Sequence, residues 1–185
     1  MILSDGEIRK ALEDKHIEIY GHSELYIGPS SVDLHMSDVV KQLKHGSEII
    51  NLSYTKMEDL FEERNIGSTG ITIYPGEFYL MSTAETVKFP SDISGFVQGR
   101  SSLARLGIKI HDAGFVDAGF KGTITLEVTN LTMRAVQIPP DSRICQIVFV
   151  KSEKSSEVPY NMKKDNKYNE QEGPTVTRIN RDYNA

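Results

Sequence analysis

The segment Gly99-Arg100-Ser101-Ser102-Leu103-Ala104-Arg105-Leu106-Gly107 sets two arginines and two serines close together, and the carboxylates Asp117 and Glu127 follow it. Guanidinium groups present fixed forks of N–H donors suited to phosphate oxygens. The glycines around them, Gly114, Gly119 and Gly122, let a backbone N–H come close to a ligand. The carboxylates supply proton transfer or a metal contact. Together they predict a site for a phosphorylated small molecule. Ser101 and Arg105 are four residues apart, so one or two helical turns over Ser-Ser-Leu-Ala would put them on a shared face. A helix start rich in serine and preceded by glycine favours anions.

The carboxylates need positioning elements. From Thr123 to Val128 apolar and polar residues alternate, with Ile124, Leu126 and Val128 on one face and Glu127 on the other, as in a half-buried strand. A glutamate buried there would hold its proton nearer neutral pH. Asp117 sits between glycine-containing turns in Gly114-Phe115-Val116-Asp117-Ala118-Gly119. Zinc-based base chemistry is excluded by the donor set, because such sites draw on clustered Cys and His. The chain has the single Cys145 and no Cys-x-x-Cys. Its histidines 16, 22, 35, 45 and 111 lack ligand spacing. Cys145, within Ile144-Cys145-Gln146-Ile147-Val148-Phe149, reads as a small buried hydrophobe.

Elsewhere, Ser4 and Glu7 form a capping-box pattern that starts a helix with Ile8, Leu12 and Ile17 facing inward and Tyr20-Gly21-His22 ending it. Pro29 to His35 alternates as a strand. Residues 44–70 read as a polar, irregular surface excursion with a weak helical patch at Met57–Phe61. From Ile71 onward the signal is β. Ile71–Tyr74 and Phe78–Thr83 flank a Pro75-Gly76 turn, and Ile93–Gln98, Arg134–Ile138 and Arg143–Lys151 follow. Short strands with turn signals at this spacing predict an all-β sandwich or barrel with minor helices. The chain divides into a β domain over 1–150 and a tail over 151–185, poor in aliphatics and carrying Tyr160, Tyr168 and Tyr183. Such a tail is either disordered or a lid over a ligand.

Composition bounds the rest. At 185 residues, 38% hydrophobic and 25% charged, the chain suits one domain with a sizeable core. A net charge of −5 and a pI near 5.6 give no footprint for nucleic acid. No apolar run approaches the roughly 20 residues of a membrane span. The N-terminal residues do not resemble a signal peptide, so a cytoplasmic protein is expected.

Three blocks, in order, carry a resemblance. Gly99 to Asn130 closely resembles the dCTP deaminase branch of the dUTPase superfamily. Gly28-Pro29-Ser30-Ser31-Val32-Asp33-Leu34 is similar to that family's N-terminal strand motif. Tyr160 with Lys167-Tyr168-Asn169-Glu170-Gln171-Glu172-Gly173-Pro174-Thr175 is similar to its C-terminal motif. The resemblance implies a distorted β-barrel or jelly roll, assembled as a homotrimer with sites between subunits. It implies that Ser101, Arg105, the carbonyl of Ala113 and Glu127 position water and shuttle protons in deamination. Arg100 and Ser102 match the phosphate-binding part, and Gln146 a glutamine near the phosphates. Tyr160, Lys167 and Gln171 match tail residues that close over the triphosphate. Magnesium would ride on the phosphates, a hard cation among oxygens.

Members that only deaminate tend to carry His-Arg after the alanine, whereas bifunctional deaminase–dUTPases carry Gly and an aromatic. Gly114-Phe115 follows Ala113 here, so the chain resembles the bifunctional kind, and Asp117 matches the aspartate that activates water against the α-phosphate. The implied activity is deamination of dCTP to dUTP, then hydrolysis to dUMP and pyrophosphate, which supplies dUMP for dTMP synthesis. dTTP is a possible inhibitor. Asp112 stands where relatives more often have Thr, and it favours the alternative of a plain dUTPase. A non-catalytic nucleotide-binding barrel is the other alternative.

Overall fold

The computed structural model describes residues 1–111 and 114–183. Ala113 and Asp112, both singled out above, lie outside the described residues. Ser4 caps helix α1 (Asp5–Glu13) with a complete capping box: its hydroxyl accepts from the Glu7 N–H, and the Glu7 carboxylate accepts from the Ser4 N–H at 2.8 Å. Ile8 is fully buried, whereas Leu12 is half-buried. The helix stops at Glu13, earlier than expected. Glu18–Tyr20 is a strand, β1, and Ile17 is buried just ahead of it.

The strands that follow are β2 (Tyr26–Ile27), β3 (Val32–His35), β4 (Val39–Leu43), β5 (Phe61–Asn65), β6 (Ile71–Ile73), β7 (Phe78–Lys88), β8 (Ile93–Gly99), β9 (Ile108–Ile110), β10 (Phe115–Val116), β11 (Lys121–Asn130), β12 (Val136–Ile138) and β13 (Arg143–Lys151). One turn of helix, α2 (Ser101–Ala104), joins β8 to β9. One sheet runs β5-β4-β7-β11-β9 with β1 added beside β7, and a second runs β10-β8-β13-β3-β2. β12 and β6 form a separate ribbon. The pairings are antiparallel. Neither strand order returns to its start, so the all-β jelly-roll expectation holds as two open sheets rather than a closed barrel.

One core lies between the sheets. Leu34, Ile147 and Phe149 of the second sheet and Met81, Leu126 and Val128 of the first are at most 2% exposed and belong to one cluster. Cys145 is fully buried within it, and desolvation pushes its thiol well above the usual range, which makes it an inert hydrophobe. β11 sets the geometry of everything below. Its alternation buries Gly122, Ile124, Leu126, Val128 and Asn130 and turns Thr123, Thr125, Glu127 and Thr129 to the other face, as period two requires. No helix among the described residues is long and apolar enough to cross a membrane.

Residues 44–70 are more structured than their polarity suggests. Met57–Leu60 is a short 3₁₀ turn, and β5 pairs with β4 from Val39–Asn65 to Leu43–Phe61. β5 is an exposed edge strand of sequence Phe-Glu-Glu-Arg-Asn, and charge on an edge hides the strand signal. The tail packs on the body. Val176 is buried with Met57 and Leu80, and Gln171 pairs with Gly122 in a parallel bridge.

Candidate active site

A cleft of about 540 Å³ opens on the outer face of β11. Its wall combines Glu127 and Thr125 of β11 with Phe115, Val116 and Asp117 from β10 and the turn after it. Phe61, Phe78 and Leu80 close one apolar side, and Tyr160, Tyr168, Gln171, Thr175 and Thr177 of the tail close the other. Glu127 stands opposite Leu80 across the β7–β11 ladder. Its half-buried carboxyl is pushed up by desolvation, offset in part by its own backbone N–H and by His111. His111 is held by Thr129 through Nε2 at 2.9 Å and meets Phe78 edge-on at 5.9 Å. A desolvated carboxyl of this kind is suited to proton transfer, and Asp117 stands exposed at the cleft rim.

The tail closes the cleft through backbone contacts that two glycines permit. Gly119 has φ +83°, and a Cβ there would lie 2.6 Å from Pro159; the Tyr160 N–H donates to the Ala118 carbonyl at 2.8 Å. Gly122 has φ +149°, and a Cβ would meet Gln171 backbone at 2.9 Å. The sequence reading gave these glycines to a ligand; the structure gives them to the tail. The Tyr160 hydroxyl accepts from the Lys167 and Tyr168 N–H groups, and its ring leans on Phe120 at 5.9 Å. Gln171 donates from Nε2 to the Thr123 carbonyl at 2.9 Å, and its buried Oε1 has no hydrogen-bond partner among the described residues.

The basic residues gather elsewhere. Arg100 pairs through Nε with Asp33 at 3.1 Å and donates to the Arg143 carbonyl at 3.2 Å. Arg143 joins the same Asp33 carboxylate at 3.2 Å and lies over the Tyr26 ring at 4.3 Å. Gln146 accepts from the Ser31 hydroxyl at 3.0 Å. The cause is register: Gln146 of β13 faces Asp33 of β3 on one side and Gln98 of β8 on the other. Three sequence blocks far apart in the chain therefore share one surface. Ser101, Ser102 and Arg105 stand exposed on α2 beside it.

Of the predicted residues, Gly114, Phe115, Asp117, Glu127, Tyr160 and Gln171 line the cleft. Arg100, Ser101, Ser102, Arg105, Gln146 and Lys167 do not, and the Lys167 ammonium instead pairs with Asp182. Sequence reasoning missed the apolar wall of Phe61, Phe78 and Leu80, and also the threonines 125, 175 and 177. The wall comes from β5 and β7, which spacing could not bring to β11. The described donor set at the cleft offers the oxygens of Asp117 and Glu127 and no nitrogen or sulfur cage. That set fits a hard cation carried on phosphates, touched by few protein oxygens.

A family model described as dCTP deaminase-like matches residues 2–152. The chain is 43% identical to the "dCTP deaminase, dUMP-forming" of Dictyoglomus turgidum over 188 residues, covering 99% of this chain and 97% of that one. It is also 43% identical to the protein of that name from Methanosphaera stadtmanae over 195 residues, covering 98% and 95%. Among solved structures, the 2′-deoxycytidine 5′-triphosphate deaminase of Agrobacterium tumefaciens has a TM-score of 0.62 at 24% identity, covering 80% of this chain and 46% of that one. A native EIAV dUTPase has a TM-score of 0.51 at 17% identity, covering 82% and 99%. At these identities the two structures speak for the fold. The length and level of the sequence match establish that the chain belongs to the dCTP deaminase-like family.

Proposed function

We propose that this chain deaminates dCTP to dUTP and hydrolyses the dUTP in place to dUMP and pyrophosphate. The observation that carries the reading is the half-buried Glu127, its carboxyl pushed up by desolvation, in one cleft with Asp117, Gly114 and Phe115. In the first step water adds at C4 of the cytosine. Glu127 carries one proton of that water to N3 and then carries the proton of the new C4 hydroxyl to the amine, so that ammonia departs as the C4 carbonyl forms. Differential stabilisation of the tetrahedral carbon by preplaced donors drives the step. In the second, Asp117 takes a proton from the water that attacks the α-phosphate, and pyrophosphate leaves. Magnesium bound with the nucleotide would neutralise phosphate charge, and Asp117 and Glu127 are the cleft carboxylates that could help to hold it. dTTP, sharing the triphosphate and pyrimidine, competes for the same site.

The site is completed by a neighbouring copy. The α2 turn carries Ser101, Ser102 and Arg105 outside the chain's own cleft. Leu106, Leu131 and Met133 are 58%, 66% and 91% exposed beside it, and the Leu131 N–H donates to the Gly107 carbonyl at 2.9 Å. An apolar rim next to unused cations suits a subunit contact. In a trimer, each cleft would receive Ser101 and Arg105 for the water and Arg100, Ser102 and Gln146 for the phosphates. The segment from 151 acts as the lid, through Tyr160, Lys167 and Gln171.

Product analysis tests the activity directly. With dCTP and magnesium, dUMP with ammonia is expected. Accumulating dUTP would mean deamination alone. Unchanged dCTP with hydrolysis of added dUTP would mean a plain dUTPase, and neither activity would leave a nucleotide-binding protein.

A further inference from the structure

Away from the cleft, the fold brings together residues that no spacing along the chain connects. His22, on the β1–β2 connection, and His35, the last residue of β3, stack with ring centroids 3.7 Å apart and planes 14° from parallel. Asp141, in the turn before β13, approaches His22 Nε2 at 2.9 Å across 119 residues of chain. One ligand atom from each of His22, His35 and Asp141 lies within 4.8 Å of the others.

The neighbours of these rings decide which nitrogens are free. His35 turns Nδ1 toward the fully buried Glu85 carboxylate at 2.6 Å, and the same carboxylate accepts the His35 backbone N–H at 2.9 Å. A carboxylate on Nδ1 fixes the tautomer and makes Nε2 the lone-pair nitrogen. Among the described residues His35 Nε2 has no hydrogen-bond partner. His22 Nδ1 lies 3.0 Å from the Glu24 carbonyl and 3.2 Å from the Glu24 N–H, and its Nε2 meets Asp141 at 2.9 Å. The two imidazoles are thus held from their Nδ1 sides, with a carboxylate beside one Nε2.

We propose that His22, His35 and Asp141 form a structural site for a borderline divalent ion of the zinc class, with Glu85 and the Glu24 carbonyl orienting the two imidazoles. Imidazole with carboxylate suits Zn²⁺, Co²⁺ or Ni²⁺. Zinc bonds of about 2.0–2.2 Å require the three ligand atoms to close inward, by rotation of the stacked rings and by the exposed Asp141 side chain. A solvent molecule completes four-coordination. None of these residues lines the cleft, and the role given to the ion is structural. It ties the β1–β2 connection to β3 and to the turn before β13. Closing a loop of such length restricts the unfolded chain most. The ligands lie 13 and 106 residues apart in sequence order, which is why the histidines carry no ligand-spacing signature.

The test uses the full chain, stripped with chelator and dialysed, at fixed protein concentration. Zn²⁺ and, separately, Co²⁺ are titrated while melting temperature and the visible Co²⁺ spectrum are followed. One ion per chain is expected, with a Tm rise of roughly 5–10 °C at a hundredfold excess over Kd and an intense four-coordinate Co²⁺ band. The same concentration of Mg²⁺ should give neither. His22→Gln, which keeps the ring's bulk in part, and Asp141→Asn should each weaken Zn²⁺ binding roughly 10–100-fold and leave dCTP turnover with magnesium unchanged. Absence of both the Tm rise and the Co²⁺ band in the native chain overturns the site. So does a response that both variants retain in full, since the ion would then be held elsewhere.

Discussion

On the outer face of β11, Glu127 and its threonine neighbours lie half-buried beneath the tail. On α2, Ser101, Ser102 and Arg105 stand in solvent, and Arg100 is occupied by Asp33. Both regions hold residues that the family resemblance assigns to one reaction. The first has walls, a desolvated carboxyl and a cover, all supplied by its own chain. The second has exposed hydroxyls and the exposed Arg105 beside the paired Arg100, rimmed by exposed leucines and a methionine. The contrast teaches that residues gathered by one sequence motif can be parted by the fold, Glu127 and Asp117 in a walled cleft and Ser101, Ser102 and Arg105 on an open surface.

The largest expected effects come from breaking each region separately and mixing the results. Glu127→Gln removes the proton shuttle, and Arg105→Ala removes a cation from the α2 turn. Each alone should lower dCTP turnover by roughly 10²–10⁴-fold. If the two regions meet across subunits, trimers reassembled from equal amounts of both variants recover roughly a quarter of native sites, because one site in four pairs two intact halves. Recovery of nothing would put both regions within one subunit's site.

Asp117→Asn sharpens the comparison inside the cleft. Loss of the rim carboxylate should cut dUTP hydrolysis by roughly 10²–10⁴-fold and slow dCTP consumption far less, so dUTP accumulates in chromatographic product analysis. Equal losses would give Asp117 a shared structural role in its glycine-flanked turn.

Removing the chain from Tyr160 onward should reduce kcat/KM by more than tenfold, since lid closure excludes water and completes the site. The fold loses Val176 from the small cluster with Met57 and Leu80, a burial of about 1.5–3 kcal/mol, together with the packing of Tyr160 and Tyr168 on the main core. Calorimetry and kinetics on the truncated protein decide this: undiminished kcat/KM removes the lid from the account.

The raised Glu127 carboxyl gives a further, smaller signature. Its pKa in the folded chain is above the ordinary 4.5 because burial penalises the charge. The folded state therefore binds more protons than the unfolded one between 4.5 and the raised value. The stability this group contributes is complete below 4.5 and is lost as pH rises through that window. Glu127→Gln has no charge to desolvate, so its Tm should exceed the native value at pH 8 and match it at pH 4. Identical Tm differences at both pH values would mean that Glu127 is ionised without cost.

Furthest from either region, Ser4→Ala removes the α1 cap. Chemical denaturation should show a loss of about 1 kcal/mol, with product distribution unchanged. A change in products would tie α1 to the site.

The sequence by itself determined the local pieces. Alternation from Thr123 to Val128 gave a strand with Glu127 opposite Leu126, and the Ser4–Glu7 pair gave a helix start. The run Ile144–Phe149 gave a buried strand with an inert Cys145. These depend on periods of two or 3.6 and on caps a few residues long, which one chain segment specifies alone. Motif order also identified the family and the two carboxylates. Only the tertiary structure decided what stands opposite what. β5 escaped notice because an edge strand of glutamate and arginine buries little and so shows no apolar alternation. Its Phe61 nonetheless closes the cleft. Gly119 and Gly122 looked like ligand contacts, but their freedom serves the tail that crosses them. Arg100, Asp33, Arg143 and Gln146 became one cluster because β8, β13 and β3 are neighbours in a sheet. That neighbourhood follows from how the sheets bury their shared core, not from any spacing along the chain.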